Sequence, residues 1–170
     1  FTFIGEGANN IVLISGGVGI TPMMSVVRYL TDRSWPGDIF FVFACRADQD
    51  AIYRQELEYL QRRYPNLHLT ITASDISCAD WPYARGNIGK EVLAQAIPHL
   101  ATRRVHLCGP PLMMTALKSI LAELGVPAEQ IKTEIFIGKE RPIALSGGVE
   151  TGAKVDEAKP TSPTDTASVP

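Results

Sequence analysis

Residues 11–22, IVLISGGVGITP, decide the fold of this chain. Ile11 to Ile14 form an apolar run with no polar alternation, closed by Ser15 and then Gly16 and Gly17. A strand buried on both faces reads this way. Behind the glycines come Thr21 and Pro22, then Met23, Met24, Val26, Val27 and Leu30 at helical spacing. Pro22 suits the first turn of a helix, where its missing N–H leaves no bond unmade.

The same strand-to-helix alternation continues outward. Residues 38–44 (DIFFVFA) predict a second buried strand, and residues 49–64 predict a helix with Ile52, Leu57, Leu60 and Tyr64 on one face. Residues 67–73 (LHLTITA) predict a third strand. A long loop rich in Asp, Trp, Pro and Gly follows over residues 74–89; loops of that length in compact domains tend to carry function. A short helix (KEVLAQAI) breaks at Pro98, residues 104–108 (RVHLC) predict a fourth strand, and residues 112–124 predict a helix stopped by Gly125. Residues 131–137 predict a fifth strand.

Strands alternating with helices imply an α/β fold: a doubly wound, parallel five-stranded sheet in the order 3-2-1-4-5. Ligands of such sheets bind beyond the carboxyl ends of the strands, where the winding reverses between the first and fourth. The two turns richest in glycine and proline leave those two strands.

Of 170 residues, 45% are hydrophobic, and 16 basic against 18 acidic residues leave a net charge of −2. That balance excludes the basic stripe of a nucleic-acid binder. No apolar run approaches the ~18 residues of a membrane helix, and no secretory leader pattern opens the chain. Phe1 stands where Met would begin a complete chain, so a piece of a longer protein is expected. Cys45, Cys78 and Cys108 are far apart and show no zinc or iron–sulfur spacing, so no metal site is expected. Free thiols in a chain this small suit the cytoplasm. Residues 139–170 lack aromatics and amphipathic period and are rich in Pro, Thr, Ser, Ala and Gly. They are expected to be a flexible linker after a domain spanning residues 1–138.

Two segments carry chemistry. Gly16-Gly17-Val18-Gly19-Ile20-Thr21-Pro22 offers backbone that a pyrophosphate can approach and a helix start with free N–H groups. Alone it equally fits a plain strand-to-helix turn, and it is not the GxGxxG fingerprint. Cys108-Gly109-Pro110-Pro111-Leu112-Met113 places a thiol at the end of the fourth strand, facing the crevice; alone it fits a buried structural cysteine as well.

Together with ACRADQDAIYRQEL after the second strand and TEIF on the last, these motifs resemble the nicotinamide-nucleotide domain of the ferredoxin–NADP reductase superfamily. That family includes plant-type ferredoxin reductases, cytochrome b5 reductase and oxygenase reductases. The resemblance implies a flavin-binding barrel upstream, holding FAD or FMN, and hydride transfer from nicotinamide to flavin. Electrons then pass to a downstream or separate iron–sulfur or heme acceptor. The barrel is absent here, so this fragment alone is expected to be inactive. By resemblance, Gly17 and Gly19 approach the pyrophosphate and Thr21 lies toward the nicotinamide. Cys108 sits beside the nicotinamide C4, and Gly109 and Pro110 shape the turn. Glu134 and Phe136 lie near the flavin edge.

The loop after the third strand is expected to read the adenosine ribose. NADP-using relatives typically place Ser-Arg there, whereas this chain has Ser74-Asp75, which favours NADH over NADPH. Arg46 is the contrary sign, because it could reach a 2′-phosphate. Tyr53, Trp81 and Tyr83 fit either adenine contact or plain packing. His68, His99 and His106 show no paired carboxylate or ligand spacing and read as structural. The alternative function is a non-catalytic reductase-like regulatory or electron-transfer subunit that binds a partner protein.

Overall fold

The computed structural model describes residues 10–134. Six parallel strands form one sheet: β1 (Asn10–Gly16), β2 (Asp38–Ala47), β3 (Leu67–Asp75), β4 (Ala84–Arg85), β5 (Arg104–Cys108) and β6 (Ile131–Glu134). Their spatial order is β4-β3-β2-β1-β5-β6. Removing β4 leaves the expected winding of 3-2-1-4-5. The sixth strand corrects the five-strand expectation. It lies inside the segment expected to be all loop, pairing Ala84 with Thr72 and Arg85 with Ala73 at the sheet edge.

Helices α1 (Ile20–Asp32) and α2 (Arg54–Arg63) contribute to one core, and α3 (Lys90–Ala96) and α4 (Pro111–Glu123) to the other. Strand alternation divides the side chains between these cores. Ile11 and Leu13 of β1 join Phe41 and Phe43 of β2 on the α1 side. Val12 and Ile14 join Phe40 and Val42 on the α4 side. Every one of these strand residues is at most 5% exposed, which explains why the strands read as unbroken apolar runs.

Local signals set the helix ends. Gly125 adopts φ +79°, and the N–H groups of Gly125 and Val126 donate to the carbonyls of Ala122 and Leu121 at 3.0 and 2.9 Å, closing α4. The second helix starts at Arg54 rather than residue 49. Residues Asp48–Asp50 form a tight helical turn, and Tyr53 sits at φ +58°, a left-handed conformation that cannot continue a helix. The last strand is described only as far as Glu134, so residues 135–137 of its expected span lie outside the described residues, as does the expected linker.

Candidate nucleotide site at the sheet's switch point

β1 lies between β2 and β5, with Ser15 opposite Cys108, so the two glycine-bearing turns leave neighbouring strands at the same end of the sheet. The first turn is open. Gly17 adopts φ +52°, and a Cβ placed on it would meet nothing within 4 Å. α1 begins without a side-chain cap and without an acidic residue in its first turn. The Ile20 N–H turns back to the Gly17 and Val18 carbonyls, so what favours an anion here is the positive dipole end of α1. Thr21 is exposed and Pro22 half-buried in that turn. α4 differs: Pro110 and Pro111 at its start lack N–H groups, which removes donors from the other side of the crevice.

The two turns pack backbone to backbone. A Cβ on Gly19 would collide with the Cys108 carbonyl oxygen and lie 2.9 Å from the Gly109 Cα. A Cβ on Gly109 would lie 3.2 Å from the Gly16 nitrogen, and one on Gly16 would strike the Met113 thioether. The Met113 side chain thus lies across both Gly16 and Gly109. Val18 and Leu112, 69% and 87% exposed, stand on the two turns as bare apolar side chains.

Cys108 stands between Ser15 on β1 and Glu134 on β6 in one row across the carboxyl end of the sheet. Its side chain is fully buried among the α1-side core residues, so the thiol is enclosed rather than presented on the surface. Burial raises its pKa, and the Glu134 carboxylate raises it further. The sulfur is therefore a neutral thiol at neutral pH, suited to shape a contact rather than to attack as a thiolate. Glu134 is half-buried. Phe136 lies outside the described residues.

At the far side, Asp75 ends β3 opposite Ala47 of β2. It is exposed and makes no hydrogen bond or ion pair with the described residues. Ala47 and Asp75 project to the α1 side, so Arg46 and Ser74, one residue earlier, project to the opposite face. Arg46 is exposed there. The expected rivals for the ribose thus occupy different faces of the sheet.

Tyr83 belongs to a packing network. Its hydroxyl donates to Glu58 Oε1 at 2.7 Å, the Arg54 guanidinium lies 5.4 Å from its ring centroid, and Trp81 meets it edge-on at 5.3 Å. Burial, and then the Glu58 carboxylate, push its pKa up to about 12. His68 corrects the expectation of no paired carboxylate: its Nε2 lies 3.1 Å from Asp38 Oδ1, and its ring stacks on Phe40 at 4.6 Å. That pair is remote from the crevice, since Asp38 begins β2 and the crevice lies at the strands' carboxyl ends. Sequence reasoning missed Asp48, which joins the end of β2 to the loop after β3. Its only sequence signal is an Asp beside polar residues just after an apolar strand, which is common to many turns. Among the described residues no group of three or more His, Cys, Asp or Glu is placed to hold a metal ion, and no helix is long and apolar enough to cross a membrane.

Comparison with known proteins agrees with this geometry. The chain is 32% identical over 161 residues to the glycine betaine monooxygenase reductase subunit of Chromohalobacter salexigens, covering 94% of this chain and 43% of that protein. It therefore spans less than half the length of that relative. Among solved structures, the cytochrome b5 reductase domain of Ulva prolifera nitrate reductase superposes with a TM-score of 0.71 at 25% identity, covering 76% of this chain and 51% of that one. The flavohem-like FAD/NAD-binding domain of nitric oxide dioxygenase from Vibrio cholerae gives 0.70 at 27% identity, over 80% and 54%. These likenesses uphold the resemblance to cytochrome b5 reductase and oxygenase reductases. A family model of the oxidoreductase NAD-binding domain matches residues 13–119, and the chain belongs to that family.

Proposed function

We propose that this chain is the NADH-binding half of a flavin-dependent electron-transfer oxidoreductase. It would present the nicotinamide to a flavin, FAD or FMN, held by an upstream barrel domain. Electrons would pass on to an iron–sulfur or heme acceptor. The observation that carries this reading is the open turn at Gly17 leading into the start of α1, with Gly19 packed directly against the Cys108-Gly109 turn at the switch point. In this reading, Gly16, Gly17 and Gly19 let the pyrophosphate reach the backbone N–H groups, and Thr21 and Pro22 shape the first turn beside it. Gly109, Pro110 and Met113 form the opposing wall. Cys108 and Glu134 set the position of the nicotinamide edge and help keep water from it. The bound nicotinamide and flavin supply the hydride chemistry; the residues here bind and orient.

The division into a nucleotide-binding domain over residues 1–138 and a linker over residues 139–170 belongs to the same proposal and rests on composition. So does a cytoplasmic location, supported by the free thiols of Cys45, Cys78 and Cys108.

The choice of NADH rests on Asp75. Its exposed carboxylate is left to accept a hydrogen bond from a ribose 2′-hydroxyl and repels a 2′-phosphate. At an exposed, screened position this is worth about tenfold in preference. The test is kcat/KM for both coenzymes in the flavin-loaded protein. Asp75→Arg is expected to shift the ratio toward NADPH. A ratio untouched by the substitution would remove Asp75 from the ribose and make Arg46 the candidate.

A further inference from the structure

We propose that Asp48 is a positioning residue for coenzyme choice: it clamps the segment after β3 and so fixes the direction of Asp75. This inference rests on the reading of Asp75 given above.

Asp48 follows Ala47 on β2, and Ala47 is paired with Asp75, the last residue of β3. The clamp therefore sits one residue beyond the last rung of the β2–β3 ladder. The Asp48 side chain is only 9% exposed, and its carboxylate is fully occupied. Oδ2 accepts the Cys78 backbone N–H at 2.6 Å. The Ser77 hydroxyl donates to Oδ1 at 3.0 Å and to Oδ2 at 3.2 Å, and Oδ1 also accepts the Gln49 N–H at 2.9 Å. The Cys78 N–H, followed by the Ser77 hydroxyl and the Gln49 N–H, holds the Asp48 pKa below the usual carboxylate range, so the clamp is ionised at neutral pH. Hydrogen bonds to an ionised acceptor are roughly twice as strong as neutral ones.

The hydrogen bonds by which Ser77 and Cys78 reach other segments all go to Asp48. The next ties come from Trp81 onward: Trp81 Nε1 donates to the Ala84 carbonyl at 3.2 Å, and Tyr83 bonds Glu58. Asp75 thus has the Ala47 rung on one side and the Asp48 clamp on the other, while its own carboxylate carries no bond to the described residues. Half-buried Ile76 packs on the α1-side core, but without the clamp no hydrogen bond to another segment holds residues 77–80 among the described residues. A carboxylate on a freely moving backbone loses the orientation that makes it selective.

The experiment uses the full-length, flavin-loaded reductase. It measures dissociation constants for NAD+ and NADP+ by calorimetry, and kcat and KM for both reduced coenzymes, in four variants. Asp48→Ala is expected to raise the NAD+ dissociation constant and the NADH KM about fivefold, narrowing the NADH/NADPH preference with kcat nearly unchanged. Asp48→Asn keeps an acceptor for the Cys78 N–H and is expected to restore part of the preference. Ser77→Ala, at an exposed residue, is expected to shift the ratio in the same direction by about twofold, and it carries the test if Asp48→Ala does not fold. Asp75→Arg is the control for the underlying reading. If Asp75→Arg moves the ratio and neither the Asp48 variants nor Ser77→Ala does, the clamp is only structural and the proposal is wrong. If Asp75→Arg leaves the ratio unchanged, the reading of Asp75 falls and this inference falls with it.

Discussion

Gly19 of the α1 entry turn lies directly against the Cys108 carbonyl: a Cβ on Gly19 would collide with that oxygen and crowd the Gly109 Cα at 2.9 Å. Gly19 itself has φ −62°, an ordinary helical value, so the requirement here is for space and not for a left-handed backbone. The neighbour is main chain, which can yield only by moving a turn. We predict that Gly19→Ala destabilises the domain by about 1–3 kcal/mol and weakens NADH binding, because the two turns are pushed apart where the pyrophosphate would lie. Gly16→Ala is the comparison. There the main obstacle is the Met113 side chain, which has three rotatable bonds and moves at small cost, with the Pro110 ring 3.3 Å away, so the expected loss is about 1 kcal/mol. Thermal unfolding and coenzyme titration of both variants check the contrast. Equal losses in the two would show that backbone contact is not what sets the spacing.

Much of this architecture was legible because its strands are buried on both faces. Residues 11–14 and 39–43 carry no polar interruption, and the structure places them between two helix layers. The switch point followed from the two glycine-rich turns. β4 was not legible, because its pairing covers only two residues and Ala84-Arg85 carries no apolar run. The late start of α2 was hidden as well: the Asp48–Asp50 turn and the left-handed Tyr53 precede a sequence whose apolar spacing already looks helical from residue 49. In the candidate site, the glycine spacing alone fitted a plain strand-to-helix turn equally well; the four motifs taken together are what pointed to a nucleotide. The bonds from Asp48 to Cys78 and from Tyr83 to Glu58 join residues 30 and 25 positions apart, and no local pattern encodes them.

His106 predicts an acid-sensitive fold. It is 4% exposed on β5, and burial, followed by the charges of Arg104 and Lys132, pushes its pKa down to about 4. The folded state holds the neutral ring, while an unfolded chain takes up a proton near pH 6.5. The stabilising difference is complete above about pH 6.5 and is lost as pH falls toward 4, a change of about 3 kcal/mol. We expect denaturant titrations from pH 7 to 4.5 to show a steeper loss for the wild type than for His106→Leu. Parallel curves would mean that the ring takes up its proton in the fold as readily as in the unfolded chain.

Tyr83 separates packing from coenzyme contact. Its hydroxyl is spent on Glu58, which also holds Arg54 Nε at 2.8 Å, so this cluster ties α2 to the segment before β4. We predict that Tyr83→Phe costs about 1 kcal/mol of stability and leaves the NADH dissociation constant within about twofold. Unchanged stability with clearly weaker NADH binding would instead place the hydroxyl against the coenzyme.

Cys108 gives the sharpest kinetic expectation. Its sulfur is buried in the row between Ser15 and Glu134, while the Cys108 backbone closes against Gly19. Cys108→Ala leaves the backbone turn and the open start of α1 in place, so pyrophosphate affinity has no reason to change much. What it removes is the side chain that fills the end of the sheet where the nicotinamide edge would lie. A ring that is bound but not held at the reacting distance transfers hydride slowly, and small displacements are costly in rate. We therefore predict a loss of about tenfold or more in the rate of flavin reduction at saturating NADH, with the dissociation constant changed no more than about twofold. Stopped-flow reduction of the flavin-loaded protein measures both. Cys108→Ser, close in size, is expected to fall between wild type and the alanine variant. An unchanged reduction rate with a large rise in the dissociation constant would assign Cys108 to binding the nucleotide rather than to aligning its ring.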